Sequence, residues 1–422
     1  MTNICVVGAG YVGLTTAACL SSLGHNVTCI DVDKNKIALL NNGVVPFLES
    51  GLEIIVQDML ESERLTFVEG YPSSLSSCEF AFICVPTPQS DDGSADLSFV
   101  VSAVKSLSTI LKSNSIIINK STAPVGSTQV IEGLLQRKDI YVVSNPEFLR
   151  EGSAVQDFMH PDRIVIGSSN EVIAERVSDL FKSIKSPVIV CDSATAETIK
   201  YAANAFLATK LTFANAIAAL CEHIGADIDV VMQGIGTDTR IGPHFLKPGP
   251  GWGGSCFPKD AKALIHTAHK SGYDFSFLRN VVESNELEFH RIVSKIRKAI
   301  GEDLQKKVIT ILGLTFKAGT NDLRNSPALR ITEILETSGA YVQCYDPTVI
   351  RSQFSFETFD SSLDACRNSE VVLIATEWEE FSSLDPKAIG SIMRRKNVID
   401  GRNILNAAEW IKAGFRYQGI GR

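Results

Sequence analysis

The sequence predicts an α/β protein with two Rossmann-like, doubly wound parallel sheets, joined by a long central helix and a helical region. Three observations carry this prediction. Short continuous apolar runs, as in strands buried on both faces, alternate with helix-like segments in the first part of the chain and again after Gly301. Between these regions Ala194–Cys221 is rich in Ala, Leu, Lys and Asn, lacks Pro and Gly, and reads as one long helix ending before Gly225. The two outer regions also echo each other. Val27–Ile30 runs into Asp31 and Val342–Tyr345 into Asp346, while Phe80–Val85 runs into Pro86, Thr87 and Pro88 and Val371–Ala375 into Thr376, Glu377 and Trp378. A chain of 422 residues has room for two to three domains. The expected divisions are 1–192 for a dinucleotide-binding domain, 193–300 for the helical region, and 301–422 for the second sheet.

The elements follow in order. Asn3–Val7 is a β-rich run, Gly13–Leu23 a helix stopped by Gly24, and Val27–Ile30 a second strand. Phe80–Val85, Ser115–Asn119, Tyr141–Ser144 and Arg163–Gly167 are further strands, and the alternation implies a parallel sheet wound on both faces. The helical texture runs to about Ile300, broken by the Gly/Pro-rich stretch Gly242–Gly254, which reads as a loop. Lys307–Leu312 is then a strand, Ser326–Ser338 a helix, and Tyr341–Tyr345, Val371–Ala375 and Asn397–Ile399 are strands.

Composition narrows the function. Apolar residues make up 45% and charged residues 21%, which suits globular cores and excludes a disordered or fibrous chain. Forty basic against 48 acidic residues leave a net charge of −8, so no nucleic-acid partner is expected. Ten cysteines lie scattered with no CxxC pair, which gives neither a disulfide framework nor zinc spacing; a reducing, cytoplasmic setting and no metal requirement are expected. The apolar run Ile4–Leu23 is interrupted by Gly8, Gly10 and Gly13, and reads as strand–turn–helix rather than as a signal or membrane span. No membrane partner is expected.

Gly8, Gly10 and Gly13, with Tyr11 and Val12 among them, follow a strand and open a helix. Such glycines permit a tight turn and let the backbone approach a pyrophosphate, whose charge the helix N-terminus stabilises. Asp31 lies at the end of the next strand, eighteen residues past Gly13. Its carboxylate suits a ribose 2′-hydroxyl and repels a 2′-phosphate, which favours NAD over NADP. The bland alternative is a plain tight turn.

The segment Gly249–Asp260 is the most unusual one. Glycines flank Cys256, and Lys259 and Asp260 follow it. Glycines admit a substrate to the sulfur, and a neighbouring cation favours the thiolate, which is the nucleophile. The other nine cysteines read as small buried hydrophobes. A dinucleotide site beside a nucleophilic cysteine suggests oxidation of an alcohol to an aldehyde, capture as a thiohemiacetal, a second oxidation to a thioester, and hydrolysis. That chemistry also requires a base, a group that activates water, and cations for developing oxyanions.

These segments, taken together, resemble the UDP-glucose/GDP-mannose dehydrogenase family nearly end to end. The resemblance rests on Gly8–Gly13, on Pro86 to Pro88, on Lys120 to Gly126, on Asn145 to Gly152 and on Pro161 to Gly167. It continues through Glu197 to Asn204, Arg240 to Asp260, Gly313 to Pro327 and Asp400 to Arg402. Two small departures are Ala123 where valine is frequent and Ser127 where threonine is frequent.

The resemblance implies NAD-dependent four-electron oxidation of a sugar nucleotide, UDP-glucose to UDP-glucuronate, with Cys256 as nucleophile. It implies that Lys200 and Asp260 activate water and stabilise oxyanions, Asn204 binds the sugar or oxyanion, Glu147 transfers protons and Thr122 holds a catalytic water. To the glycine loop and Asp31 it adds Lys36, Thr87, Thr122, Glu151, Lys259 and Arg324 as cofactor residues. For the substrate it implies Glu147, Phe148, Leu149, Arg150, Lys200, Asn204, Arg240, Phe245, Leu246, Lys247, Gly253, Phe316, Lys317 and Arg402. Phe245 suits a pyrimidine base, and Lys247, Lys317 and Arg402 suit a diphosphate. A homodimer or larger homo-oligomer is also implied, with the long helix against its symmetry mate and Arg240 and Arg402 reaching across. Residue by residue, Lys200 and Asn204 alone would pass as a solvated helix face, Lys36 as a surface lysine, and Glu147 as a structural carboxylate.

Three alternatives stand beside this reading. A GDP-mannose or UDP-N-acetylhexosamine 6-dehydrogenase would keep the same catalytic residues. A nucleotide-binding redox sensor would need none of Lys200, Asn204, Asp260 and Glu147. A 2-hydroxy-acid dehydrogenase would have no use for the Cys256 loop and would require a catalytic histidine; His244 is the nearest and reads as a loop residue.

Overall fold

The computed structural model describes residues 1–90, 92–349, 354 and 356–422. The chain divides into two compact units. The first comprises Met1–Ala203 with Lys262–Tyr273, and the second Asn204–Ala261 with Asp274–Arg422.

The first unit is built on an eight-stranded sheet. Its strands are β1 (Asn3–Val7), β2 (Asn26–Asp31), β3 (Leu65–Glu69), β4 (Phe80–Ile83), β5 (Ile116–Asn119), β6 (Tyr141–Ser144), β7 (Ile164–Gly167) and β8 (Val188–Cys191). Their spatial order is β3-β2-β1-β4-β5-β6-β7-β8. The order reverses between β1 and β4, which is the topological switch point where doubly wound sheets bind ligands beyond the carboxyl ends of their strands. All pairings are parallel except that of β6 with β7, which meet antiparallel at Ser144 and Gly167. β1, β4, β5 and β6 are buried almost throughout, which explains their continuous apolar runs. Two apolar clusters cover the two faces; one contains Leu14, Phe82 and Ile118, the other Val7, Ile83 and Ile117.

The second unit carries a six-stranded parallel sheet of β9 (Val308–Leu312), β10 (Tyr341–Tyr345), β11 (Glu357–Thr358), β12 (Val371–Ile374), β13 (Asn397–Asp400) and β14 (Arg416–Gln418). The order is β11-β10-β9-β12-β13-β14, so the reversal falls between β9 and β12. The expected helices are present as Tyr11–Ser22, Ser193–Ile224 and Pro327–Thr337. Ser193–Ile224 is long and apolar enough to cross a membrane by length and composition alone. It buries Glu197, Lys200, Asn204 and Asn215 inside the protein.

The echo between the sheets extends to hydrogen bonds. Gly8 N donates to Ile30 O at 2.8 Å and Gly313 N to Tyr345 O at 2.8 Å. Asp31 Oδ2 accepts from Ala9 N at 2.8 Å, and Asp346 Oδ2 from Leu314 N at 2.7 Å.

Candidate active site

Gly8 takes φ +99°, which its lack of a Cβ permits, and its backbone lies against Cys84. A methyl group on Gly13 would stand 1.8 Å from Gly8 O. These close approaches let the helix Tyr11–Ser22 begin directly above β1, with Gly10 at its N-cap. At Gly10 a Cβ would meet no protein atom within 4 Å, so the helix N-terminus is open there to an anion. Asp31 ends β2 and accepts from Ala9 N, from Asp33 N at 3.0 Å and from Lys36 Nζ at 3.0 Å. Burial opposes its ionisation, but the two amides and the Lys36 ammonium outweigh it and hold the carboxyl below its usual range. A glycine cradle followed by an ionised acid on the next strand fits an adenine dinucleotide with a free ribose 2′-hydroxyl.

Farther along the same sheet edge, Thr87 Oγ1 donates to the carbonyl oxygen of Thr122 at 2.6 Å and joins the segments after β4 and β5. Glu147 follows β6 and is buried. Its Oε1 accepts from Lys200 Nζ at 2.8 Å and its Oε2 from Leu149 N at 2.6 Å. Burial pushes this carboxyl up; Lys200, the Leu149 amide and Lys120 together bring it below its ordinary value. Lys200 and Arg163 both lie over the Phe148 ring, at 5.4 and 3.6 Å from its centroid. The Arg150 guanidinium pairs with Asp157, and Glu151 is half-buried.

The second unit assembles the cysteine loop. Cys256 immediately precedes the helix Phe257–Lys270, and its carbonyl accepts the helix's first hydrogen bond, from Asp260 N at 2.9 Å. The sulfur therefore belongs to a helix N-cap, where partial positive charge favours an anion. Ser255 Oγ lies 3.5 Å from the sulfur. Asp260 is buried with both oxygens engaged: Oδ1 pairs with Lys259 Nζ at 2.5 Å, and Oδ2 accepts from Asn204 Nδ2 at 2.6 Å. Asn204 lies four residues beyond Lys200 on one continuous helix. The buried Lys200 and Asn204 thus replace the solvated helix face that their types alone would suggest.

The loop's glycines seat it on its neighbours. Gly253 lies against the carbonyl of Asn325, Gly254 against the Phe316 ring, and Gly249 against the Arg402 guanidinium. Arg402 donates to Ala375 O at 2.9 Å and to Phe316 O at 3.3 Å, and pairs with Glu377 at 3.1 Å. Phe245 takes a positive φ of 60°, and its ring lies 6.3 Å from that of Phe257. Leu246 is buried, Lys247 exposed and Lys317 half-buried. Arg324 pairs with Asp322, and Arg240 with Asp238 on an exposed turn.

Buried polar residues without a role in the sequence reading also appear. Glu49 accepts from Tyr11 Oη, Gly152 N and Ala154 N, and so ties the glycine-rich turn to the segment after Glu147. Glu197 accepts from Gly126 N at 2.6 Å and from Thr128 N and Oγ1 at 2.9 and 2.8 Å. Lys120 and Asn145 are also buried. A lone acidic residue inside an apolar helical segment was the available signal for Glu197.

Three family models match the chain, all of the UDP-glucose/GDP-mannose dehydrogenase family: the NAD binding domain over residues 2–185, the central domain over 194–287 and the UDP binding domain over 310–407. The UDP-glucose 6-dehydrogenase TuaD of Bacillus subtilis is 41% identical over 100% of this chain and 94% of its own. The chain belongs to the UDP-glucose/GDP-mannose dehydrogenase family. Another of its relatives, a UDP-glucose 6-dehydrogenase of Rickettsia bellii, is 44% identical over 99% of both chains. Among solved structures in the family, a UDP-glucose dehydrogenase from Pyrobaculum islandicum superposes with a TM-score of 0.93 at 34% identity, over 100% of this chain and 98% of that one. A UDP-D-ManNAc dehydrogenase from Pyrococcus horikoshii gives 0.91 at 31%, over 100% and 99%.

Proposed function

We propose that this chain oxidises C6 of the glucose in UDP-glucose twice, with two NAD+ as hydride acceptors, and releases UDP-glucuronate. The observation that carries the reading is end-to-end identity of more than 40% with UDP-glucose 6-dehydrogenases, with Cys256, Lys200, Asn204, Asp260 and Glu147 all at their motif positions.

NAD+ supplies the hydride acceptor in both oxidations. Gly8, Gly10 and Gly13 hold its pyrophosphate side and Asp31 its adenosine ribose. Tyr11, Val12, Lys36, Thr87, Thr122, Glu151, Lys259 and Arg324 complete the cofactor residues. In the first step the C6 hydroxyl gives its proton to a water positioned by Lys200 and Asp260, which passes a proton on to the Asp260 carboxylate, as hydride leaves C6. The Cys256 thiolate then adds to the aldehyde carbon, forming a C–S bond and an oxyanion. Lys200 and Asn204 stabilise that oxyanion. Loss of the second hydride from the thiohemiacetal gives the thioester. Glu147 then takes a proton from water held by Thr122. The hydroxide attacks the acyl carbon, the C–S bond breaks, and the thiolate is restored. Lys247, Lys317 and Arg402 neutralise the diphosphate, and Phe245 packs on the uracil. Phe148, Leu149, Arg150, Leu246, Gly253 and Phe316 shape the sugar side.

The chain works as a homodimer in this reading. Phe206, Phe213, Leu220 and Ile224 form an exposed apolar stripe along Ser193–Ile224, at spacings of seven, seven and four. A second copy of the same helix would cover it, with Arg240 and Arg402 reaching toward the partner. Ten scattered cysteines with no CxxC pair support a reducing cytoplasm as the place of work.

The test is NADH formed per sugar nucleotide consumed, for UDP-glucose, GDP-mannose and UDP-N-acetylmannosamine, with Cys256→Ser beside the wild type. Two NADH per UDP-glucose, lost in the variant, is the expected result. One NADH, or turnover unaffected by the variant, sinks the covalent route. Two NADH from another sugar nucleotide alone overturns the substrate and keeps the mechanism.

A further inference from the structure

We propose that Lys120 is a positioning residue of this site: a second buried ammonium that, with Lys200, stabilises negative charge on Glu147. The proposal rests on the reading above, in which Glu147 is the base of thioester hydrolysis.

Lys120 is the first residue beyond β5, at the carboxyl end of the first sheet. It is only 5% exposed, which is rare for a lysine that is not ion-paired. Among the described residues no carboxylate lies within salt-bridge distance of its ammonium; such pairs form instead at Lys200, Lys36 and Lys259. Nζ donates to Asn145 Oδ1 at 3.0 Å and stands 5.7 Å from the centroid of the Phe158 ring. Asn145 Nδ2 donates to Val165 O at 2.8 Å, which turns the amide oxygen toward Lys120. An amide oxygen and a ring face orient an ammonium without neutralising it.

The charged and titratable groups facing Lys120 come from four directions. They are Cys84 at the end of β4, Cys19 on the helix Tyr11–Ser22, Glu147 after β6, and Lys200 on the long helix. Burial pushes both thiols up to about 12, so they are neutral at physiological pH. Glu147 is then the one anion of the set: it pairs with Lys200 at 2.8 Å, and Asn145, two residues before it, holds the Lys120 ammonium at 3.0 Å. Burial pulls Lys120 down from its ordinary value, and Glu147 opposes that shift. Keeping a desolvated ammonium with no carboxylate of its own is unfavourable for a merely structural residue, and an apolar side chain of similar length would fill the space better. Its presence beside the carboxylate that must become a base accounts for it.

The experiment follows the covalent adduct on Cys256. Enzyme, NAD+ and UDP-glucose are mixed, quenched over time and weighed as intact protein across pH 3 to 7, a range of about four units that spans a base limb below the ordinary 4.5 of Glu147 and its upward shift. The adduct's decay rate falls below the pKa of the base. In Lys120→Met, removal of a facing cation moves this acid limb to higher pH by about one unit. The KM values for UDP-glucose and NAD+ stay within about twofold, because uniform binding is untouched. A limb at the wild-type pH overturns the proposal. If Lys120→Met does not fold, Asn145→Asp places a carboxylate against Nζ and cancels the charge in place. The limb must then move in the same direction, and an unmoved limb again overturns the idea. A wild-type enzyme that forms no adduct refutes the reading on which the proposal rests, whatever the variants do.

Discussion

A single methyl group at Gly253 tests whether the cysteine loop is held as the structure requires. A Cβ there would stand 1.9 Å from Asn325 O and 3.0 Å from Pro327 Cδ. Ordinary contact begins at 3.4 Å, so the two segments must separate by roughly 1.5 Å, the difference of those two distances. The loop cannot yield easily on its other side. Gly249 N donates to Asn215, Trp252 N and O bond to Asn285, and Trp252 Nε1 donates to Thr212 at 2.8 Å. The displacement therefore reaches Cys256, three residues on. Misplacement of a reacting group by about 1 Å lowers rate on the order of 10²-fold, and overpacking costs about 1–3 kcal/mol. Gly253→Ala should lose about two orders of magnitude in kcat, with a lower Tm. Gly10→Ala is the control: its methyl meets no protein atom within 4 Å, so Tm should hold while the KM for NAD+ rises. Steady-state NADH production and thermal unfolding measure both. A Gly253→Ala enzyme with wild-type kcat and Tm would refute the argument.

The other predictions are brief. The native pKa of Glu147 lies below the ordinary 4.5, so its ionised form stabilises the fold. That contribution is complete above pH 4.5 and is lost as pH falls through the native value. Glu147→Gln should accordingly show a flatter Tm-versus-pH curve than the wild type in that acid window, and parallel curves would contradict it. Asp31→Asn should weaken NAD+ binding about tenfold or more, read by calorimetry, since a hydrogen bond to a charged acceptor contributes about 1.5–3 kcal/mol. Undiminished affinity would remove Asp31 from the ribose. Phe213→Glu places a charge in the exposed stripe of the long helix. Light scattering at micromolar concentration should then give a monomer mass where the wild type gives a dimer.

Most of the strands legible in the sequence are buried on both faces, although the half-exposed Tyr341–Tyr345 was legible too. Phe80–Ile83 and Val371–Ile374 are fully buried and uninterrupted by polar residues. Leu65–Glu69 was not legible because its Thr66 and Glu69 face solvent, which breaks the apolar run. Val188–Cys191 is an edge strand with most of its residues exposed, so its apolar letters lacked a buried context. Arg416–Gln418 is short and polar and gains its place from pairing with β13. At the candidate site, residues in a local pattern were legible: the glycine turn, and the cysteine among glycines. Lys120 and Glu197 stand in segments that carry the resemblance but had no role read from them, and Glu49 had neither. Their meaning comes from partners 25, 71 and 103 residues away, at Asn145, Gly126 and Gly152, and no local spacing announces such pairs.

The two sheets show how one backbone device serves different ends. Asp31 ends β2 and Asp346 directly follows β10, the strand beside the first strand of each sheet, and each accepts from the turn after that first strand. Asp31 has three donors, two amides and a side chain from Lys36, on the side where the glycine turn opens a helix. Asp346 is buried and accepts from Leu314 N, Thr315 N and Oγ1, Thr348 N and Oγ1, and Trp378 Nε1. Six donors exceed the roughly four lone-pair sites of a carboxylate. Nothing is left for a ribose hydroxyl, and Leu314 and Phe316 stand where the first sheet has Ala9 and Tyr11. The second turn is therefore locked as a structural corner, in the sheet that matches the family's UDP binding domain. A difference in hydrogen-bond saturation at one aspartate thus separates a cofactor sheet from a substrate sheet built on the same strand order.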